Sequence, residues 1–127
     1  MARGDEDKLQ EACVTWFGYQ YPEYAPLLWH IPNGGSRNVI EAAKLKRMGV
    51  RRGVPDLQLA IPRSVYTSPT TRSLVDCGLF IELKTKDGRV TPEQKKMHKR
   101  LIAQGYKVIV CRSLDDFMIQ IQAYIGK

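Results

Sequence analysis

The sequence lacks most of the features that mark several large protein classes. It holds three cysteines, Cys13, Cys77 and Cys111, scattered and without a CxxC pair, so neither a disulfide framework nor a structural zinc site is expected. No apolar run approaches the roughly 18 residues that suggest a membrane span. The opening Met-Ala-Arg-Gly-Asp-Glu has no apolar segment of the kind a secretory signal needs. Together these absences point to reduced thiols in a cytosolic setting. No Gly-Lys-Ser/Thr follows the Gly34-Gly35 turn, which argues against a nucleoside triphosphate loop. Internal repeats are absent, and nothing divides the 127 residues, so a single domain over 1–127 with a proper core is expected.

What is present is charge arranged by region. The formal net charge is +7, yet the first 24 residues are net −3. Residues 34–53 carry six Lys/Arg against one acid, and residues 84–100 carry seven against two. Most charge runs are solvated helix faces, but two basic blocks around an acid-bearing stretch also suit a polyanionic partner, most simply nucleic acid.

Hydrophobic spacing supplies the elements. Leu9, Cys13, Trp16 and Phe17 predict a first helix over 5–18, with Asp5, Glu6 and Asp7 in the turn where the helix dipole favours anions. Glu6 lies at the edge of its inward stripe, whereas Glu11 points elsewhere. After a Pro-bearing connector, residues 27–31 read as a short buried strand, in which His30 is more readily a structural residue than a substrate contact. Ser36 is the expected cap of a second helix running to Met48 and stopped by Gly49. Residues 62–77 read as a polar linker rich in Ser, Thr and Pro. Thr91-Pro92-Glu93-Gln94 is a capping box that opens a helix to Gln104, with Met97, Leu101 and Ile102 inward and His98 on the surface or in packing. A strand over 106–111 follows, and Ser113 caps a last helix with Leu114, Phe117, Met118, Ile121 and Ile125 inward.

The chemistry sits in two predicted strands. Residues 78–85 alternate Gly78, Phe80, Glu82 and Lys84 on one face with Leu79, Ile81, Leu83 and Thr85 on the other, the second being the expected core side. Residues 56–61 place Leu57, Leu59 and Ile61 on one face and Asp56, Gln58 and Ala60 on the other. If these strands are adjacent, Asp56 and Glu82 meet, with Lys84 beside them. Two carboxylates and an ammonium form a set suited to holding Mg²⁺ or Mn²⁺ against a phosphate. Gln94 has two possible tasks, closing the capping box or facing this site.

In their order along the chain, Ile31-Pro32-Asn33-Gly34-Gly35, Gly53-Val54-Pro55-Asp56, Ile81-Glu82-Leu83-Lys84 and Thr91-Pro92-Glu93-Gln94 resemble the VRR-NUC family of PD-(D/E)xK nucleases, in its compact phage and bacterial form. The resemblance covers nearly the whole chain. It implies an α/β fold, a central mixed sheet flanked by helices, and a metal-dependent, structure-selective DNA endonuclease leaving 5′-phosphate and 3′-hydroxyl ends. It further implies metal ligation by Asp56, Glu82, the Leu83 carbonyl and a first-helix acid, Glu6 or the less favoured Glu11, with Lys84 and Gln94 in catalytic roles. Asn33, Arg37, Lys44, Lys46, Arg51, Arg52 and Lys86 are the expected DNA contacts. A homodimer acting on four-way junctions is the expected working form. The alternatives are a flap or nicking enzyme, or a basic DNA-binding module that does not cut.

Overall fold

The computed structural model describes residues 3–32 and 38–127. The expected contacts Asn33 and Arg37, the turn glycines Gly34 and Gly35, and Ser36 lie outside the described residues. The elements are α1 (Arg3–Gln20), a 3₁₀ turn (Ala25–Leu27), β1 (Leu28–His30), α2 (Val39–Arg47), β2 (Leu57–Leu59), β3 (Arg63–Tyr66), β4 (Arg72–Asp76), β5 (Leu79–Leu83), α3 (Pro92–Ala103), β6 (Lys107–Cys111) and α4 (Leu114–Ile125). A four-stranded sheet has the order β1-β2-β5-β6. Its first three strands pair antiparallel and β5 pairs with β6 in parallel, so the sheet is mixed.

Helices cover both faces of this sheet. On one face α1 and α4 pack over Leu57, Leu59, Leu79, Ile81, Leu83, Ile109 and Cys111, contributing Cys13, Phe17, Phe117 and Ile121 to one buried cluster. Each fully buried Leu, Ile or Phe contributes about 1.5–3 kcal/mol of burial. On the other face α3 lies against β5 and β6, and Phe80 packs edge-on to Tyr106 with ring centroids 5.2 Å apart. Covering both faces explains a departure from the sequence reading: all five residues of β5 are buried, the Phe80 and Glu82 face included.

Local signals set the helix ends. The Thr91 side chain accepts from Gln94 N while the Gln94 side chain accepts from Thr91 N, a complete capping box. Ser113 caps α4 and Asn38, rather than Ser36, caps α2, accepting from Glu41 N. The strand expected over 27–31 is not a buried one. It is the edge strand β1, where Leu28 is buried and Trp29 and His30 are exposed.

The largest correction concerns residues 62–77. They form a hairpin, β3 with β4, closed at its base by Arg63 Nε to Asp76 Oδ2 at 2.9 Å. Its Ser and Thr residues suggested a linker, but Thr, Val and Tyr are also strand formers. On α3, Ile102 is 55% exposed and not part of the inward stripe.

Candidate active site

Strand pairing brings the two acids together. Leu57 lies opposite Ile81 and Gln58 opposite Phe80, so continuing the register sets Asp56 across from Glu82. Directly opposed residues in an antiparallel pair project from the same face. The approach to Asp56 is fixed by Gly53, whose φ is +83° and whose missing Cβ would lie 2.6 Å from the Glu93 carbonyl oxygen. Any side chain there would push the loop that carries Pro55-Asp56 off the start of α3.

Asp56 Oδ2 accepts a hydrogen bond from Leu83 N at 2.7 Å. Lys84 N bonds to Cys111 O on the β6 side, so the alternation of the strand turns the Leu83 N–H and C=O toward β2. The Leu83 carbonyl therefore faces the same edge as the Asp56 carboxylate. Glu82 is 2% exposed. Its Oε2 accepts from Gln94 Nε2 at 3.3 Å, and its Oε1 lies 3.1 Å from His98 Nε2. Gln94 thus performs both expected tasks at once, one amide atom on the cap and the other on the acid.

Burial pushes the Glu82 carboxyl up to about 9. The charge of Asp56 and a hydrogen bond to it add to the rise, Lys84 opposes it, and Glu6 adds a smaller push. Burial, with the Lys84 charge, lowers His98 below its ordinary value. Near neutral pH, Glu82 therefore holds a proton, and His98 is neutral. The His98–Glu82 contact is a hydrogen bond between uncharged groups there, not an ion pair.

Among the described residues, no three His, Cys, Asp or Glu side chains are gathered to hold a metal ion. The oxygens that converge are those of Asp56 and Glu82, with the Leu83 carbonyl on the same edge. They form a hard donor set of the kind Mg²⁺ or Mn²⁺ takes, its coordination completed by water and phosphate. The raised Glu82 carboxyl supports that fit, since its proton neutralises part of the charge that a cation would neutralise better. Glu6, half-buried in the first turn of α1, adds negative charge to the site but does not complete a three-acid cluster. Glu11 is exposed and lines a separate cleft.

Lys84 is 8% exposed. The turn after it is gathered by Arg112, whose Nη1 donates to the carbonyls of Thr85, Lys86 and Gly88. Lys86 is exposed on that turn, and Lys44 and Lys46 are exposed on α2. Arg51 has a local role, donating to the carbonyls of Lys46 and Val50 at 3.2 and 3.3 Å. Arg52 makes a 4.0 Å surface ion pair with Glu93. His30 lies with Nδ1 2.9 Å from the Asp56 carbonyl oxygen, a backbone contact beside the site.

His98 is the site neighbour that the sequence reading missed. Its spacing could have revealed it, because His98 follows Gln94 by four residues and shares its helix face.

The VRR-NUC domain family profile matches residues 4–115. A solved structure described as a VRR_NUC domain protein superposes with a TM-score of 0.76 at 32% identity, covering 95% of this chain and 88% of that one. The candidate nuclease p44 of Acyrthosiphon pisum secondary endosymbiont phage 1 is 37% identical over 65 residues, 51% of this chain. That match spans 57% of the phage protein's length.

Proposed function

The chain belongs to the VRR-NUC family, and from that premise we propose that it is a metal-dependent DNA endonuclease that cleaves four-way junctions as a homodimer. The observation that carries the nuclease reading is the pairing of Asp56 with Glu82, two acids set opposite each other across β2 and β5. Asp56, Glu82 and the Leu83 carbonyl would hold the cation. A bound divalent ion would supply charge neutralisation at the phosphate and a more acidic water.

The chain's own residues have separable tasks. Gln94 and His98 hold the two oxygens of Glu82 and fix the direction of its free lone pairs. Leu83 N fixes one oxygen of Asp56. Lys84 places an ammonium beside Glu82, where it orients the attacking water or stabilises charge on the phosphoryl oxygens. Glu6 adds negative charge that favours a cation over a proton. Lys44, Lys46, Arg52 and Lys86, with Asn33 and Arg37, position phosphates and carry no sequence information.

The dimer reading rests on symmetry. Each chain offers one acid pair, whereas resolving a junction needs two related cuts, which a two-fold pair of sites supplies. The setting we propose is a host-cell cytosol, in keeping with three free cysteines. The test combines light scattering with cleavage of junction, flap and linear DNA in Mn²⁺, Mg²⁺ and EDTA. A dimer that cuts junctions best, and only with metal, is expected. A monomer, or a preference for flaps, would remove the junction reading and leave the nuclease.

A further inference from the structure

A cleft of about 330 Å³ lies between α1 and the edge strand β1, lined by Gln10, Glu11, Val14, Thr15, Trp29 and His30 among others. Nothing in the proposed reaction uses it. Three observations tie it to the site. His30 touches the Asp56 carbonyl. Trp29 lies opposite Gln58, and Ile31 N bonds to Asp56 O, so Trp29 stands two residues along the strand from the row of Asp56, about 7 Å. Gln10 follows Glu6 by one helical turn. The cleft is therefore a neighbour of the acids rather than a remote surface.

The chemistry of the lining selects the occupant. Among the described residues lining the cleft there is no lysine or arginine, and Glu11 brings a carboxylate, so a phosphate is disfavoured there. Trp29 and Val14 are each 41% exposed, which leaves apolar surface available to a flat ring. Around it stand an amide, a carboxylate, a hydroxyl and an imidazole, groups that match the donors and acceptors on a base edge. Phosphate binding is assigned instead to the basic residues of α2 and the loop after it. From this division we infer that the cleft takes an unpaired nucleobase of the DNA strand next to the scissile phosphate, stacked on Trp29.

The inference rests on the nuclease reading and adds a substrate feature to it. A base inside a duplex has both faces covered, so only an unpaired or extruded base presents a face to an indole. DNA with an unpaired nucleotide beside the cut is then preferred over continuous duplex.

The test uses intact protein in EDTA, where DNA binds without being cut. Two oligonucleotide duplexes are compared, one fully paired and one with a single unpaired adenine. Tryptophan emission reports directly, because the other tryptophan, Trp16, packs edge-on against Tyr21 and Phe117 and serves as an internal constant. The expected results are quenching by the bulged duplex, little by the paired one, and loss of the quench in Trp29→Phe. Trp29→Ala is expected to weaken binding of the bulged duplex by about 5- to 150-fold, the loss of one base–aromatic stack. Binding of the paired duplex should stay within about twofold, and Trp29→Phe should restore most of the preference. Circular dichroism and the unchanged paired-duplex affinity guard against misfolding. If DNA binds but Trp29 emission does not respond, or if Trp29→Ala weakens both duplexes equally, the base site is overturned while the nuclease reading stands. Emission that changes with protein concentration alone assigns the cleft to a second copy and overturns the base site. Absence of DNA binding altogether overturns both readings.

Discussion

Glu82 faces Asp56 across the β2–β5 pair, and burial together with the Asp56 charge keeps a proton on Glu82. The consequence is a pH dependence with a definite sign. The folded-state pKa of Glu82 lies above the unfolded value, so its neutral form stabilises the fold fully below about 4.5, and that contribution is lost as pH rises toward about 9. His98 is shifted the other way, and its contribution is lost as pH falls below its ordinary range. In EDTA, the melting temperature is expected to decline between about pH 7 and pH 9, and Glu82→Gln should flatten that decline. Because a cation needs the ionised pair, Mn²⁺ uptake should release a proton and strengthen with pH across the same window. Calorimetry in buffers of different ionisation enthalpy measures the proton count.

Removing the acids should separate binding from cutting. Asp56→Ala and Glu82→Ala are each expected to lower the cleavage rate by on the order of 10²- to 10³-fold or more, the scale on which lost electrostatic stabilisation is felt. DNA affinity in EDTA should stay close to wild type, because the basic surface is untouched. Lys84→Ala should also slow cleavage but keep Mn²⁺ binding. Single-turnover rates beside equilibrium binding decide both points, and near wild-type cutting by either acid variant would sink the active-site assignment.

The double task of Gln94 gives a finer test. Thr91→Ala removes the cap alone and should cost about 1 kcal/mol of stability while leaving cleavage nearly intact. Gln94→Ala keeps the Thr91 hydroxyl on the backbone N–H of residue 94 but removes the other half of the box and the contact to Glu82 Oε2, so it should lose some stability and also slow cleavage. The comparison uses chemical denaturation for stability and rate constants for activity. Equal effects of the two variants on rate would mean that the Glu82 contact has no role in the reaction.

Much of this site is legible in the sequence because strands have period two. Alternation alone places Glu82 and Lys84 on one face and Asp56 on the corresponding face of a second strand, and the pairing register brings them together. The burial of that face was not legible, since it depends on α3 crossing over it. His98 was missed for the same reason: a histidine among Lys95, Lys96, Lys99 and Arg100 reads as surface until the helix is laid on the sheet. The 62–77 hairpin shows a different limit. Val65, Tyr66, Leu74 and Val75 all stay exposed, so no buried face imposes an apolar-polar alternation to read. Glu6 and Glu11 differ in placement in a way that spacing does not show: the charge of Glu6 reaches Glu82, whereas Glu11 lies exposed along the cleft.

The last prediction distinguishes phosphate contacts from local structural arginines. Lys44 and Lys46 are exposed on α2. If they neutralise phosphates, Lys44→Ala and Lys46→Ala should each lower the slope of log affinity against log salt by about 1, equally for different sequences. Arg51 is expected to behave differently, because its guanidinium already serves the carbonyls of Lys46 and Val50 at the end of α2. Arg51→Ala should lower the melting temperature and leave the salt slope unchanged, and Arg51→Lys, a point charge without the fork, should not recover that stability. Affinity measured from about 50 to 200 mM salt, beside thermal melts, separates the two roles. A salt response unchanged in all of these variants would make the basic block a solvated face and move the DNA path elsewhere on the molecule.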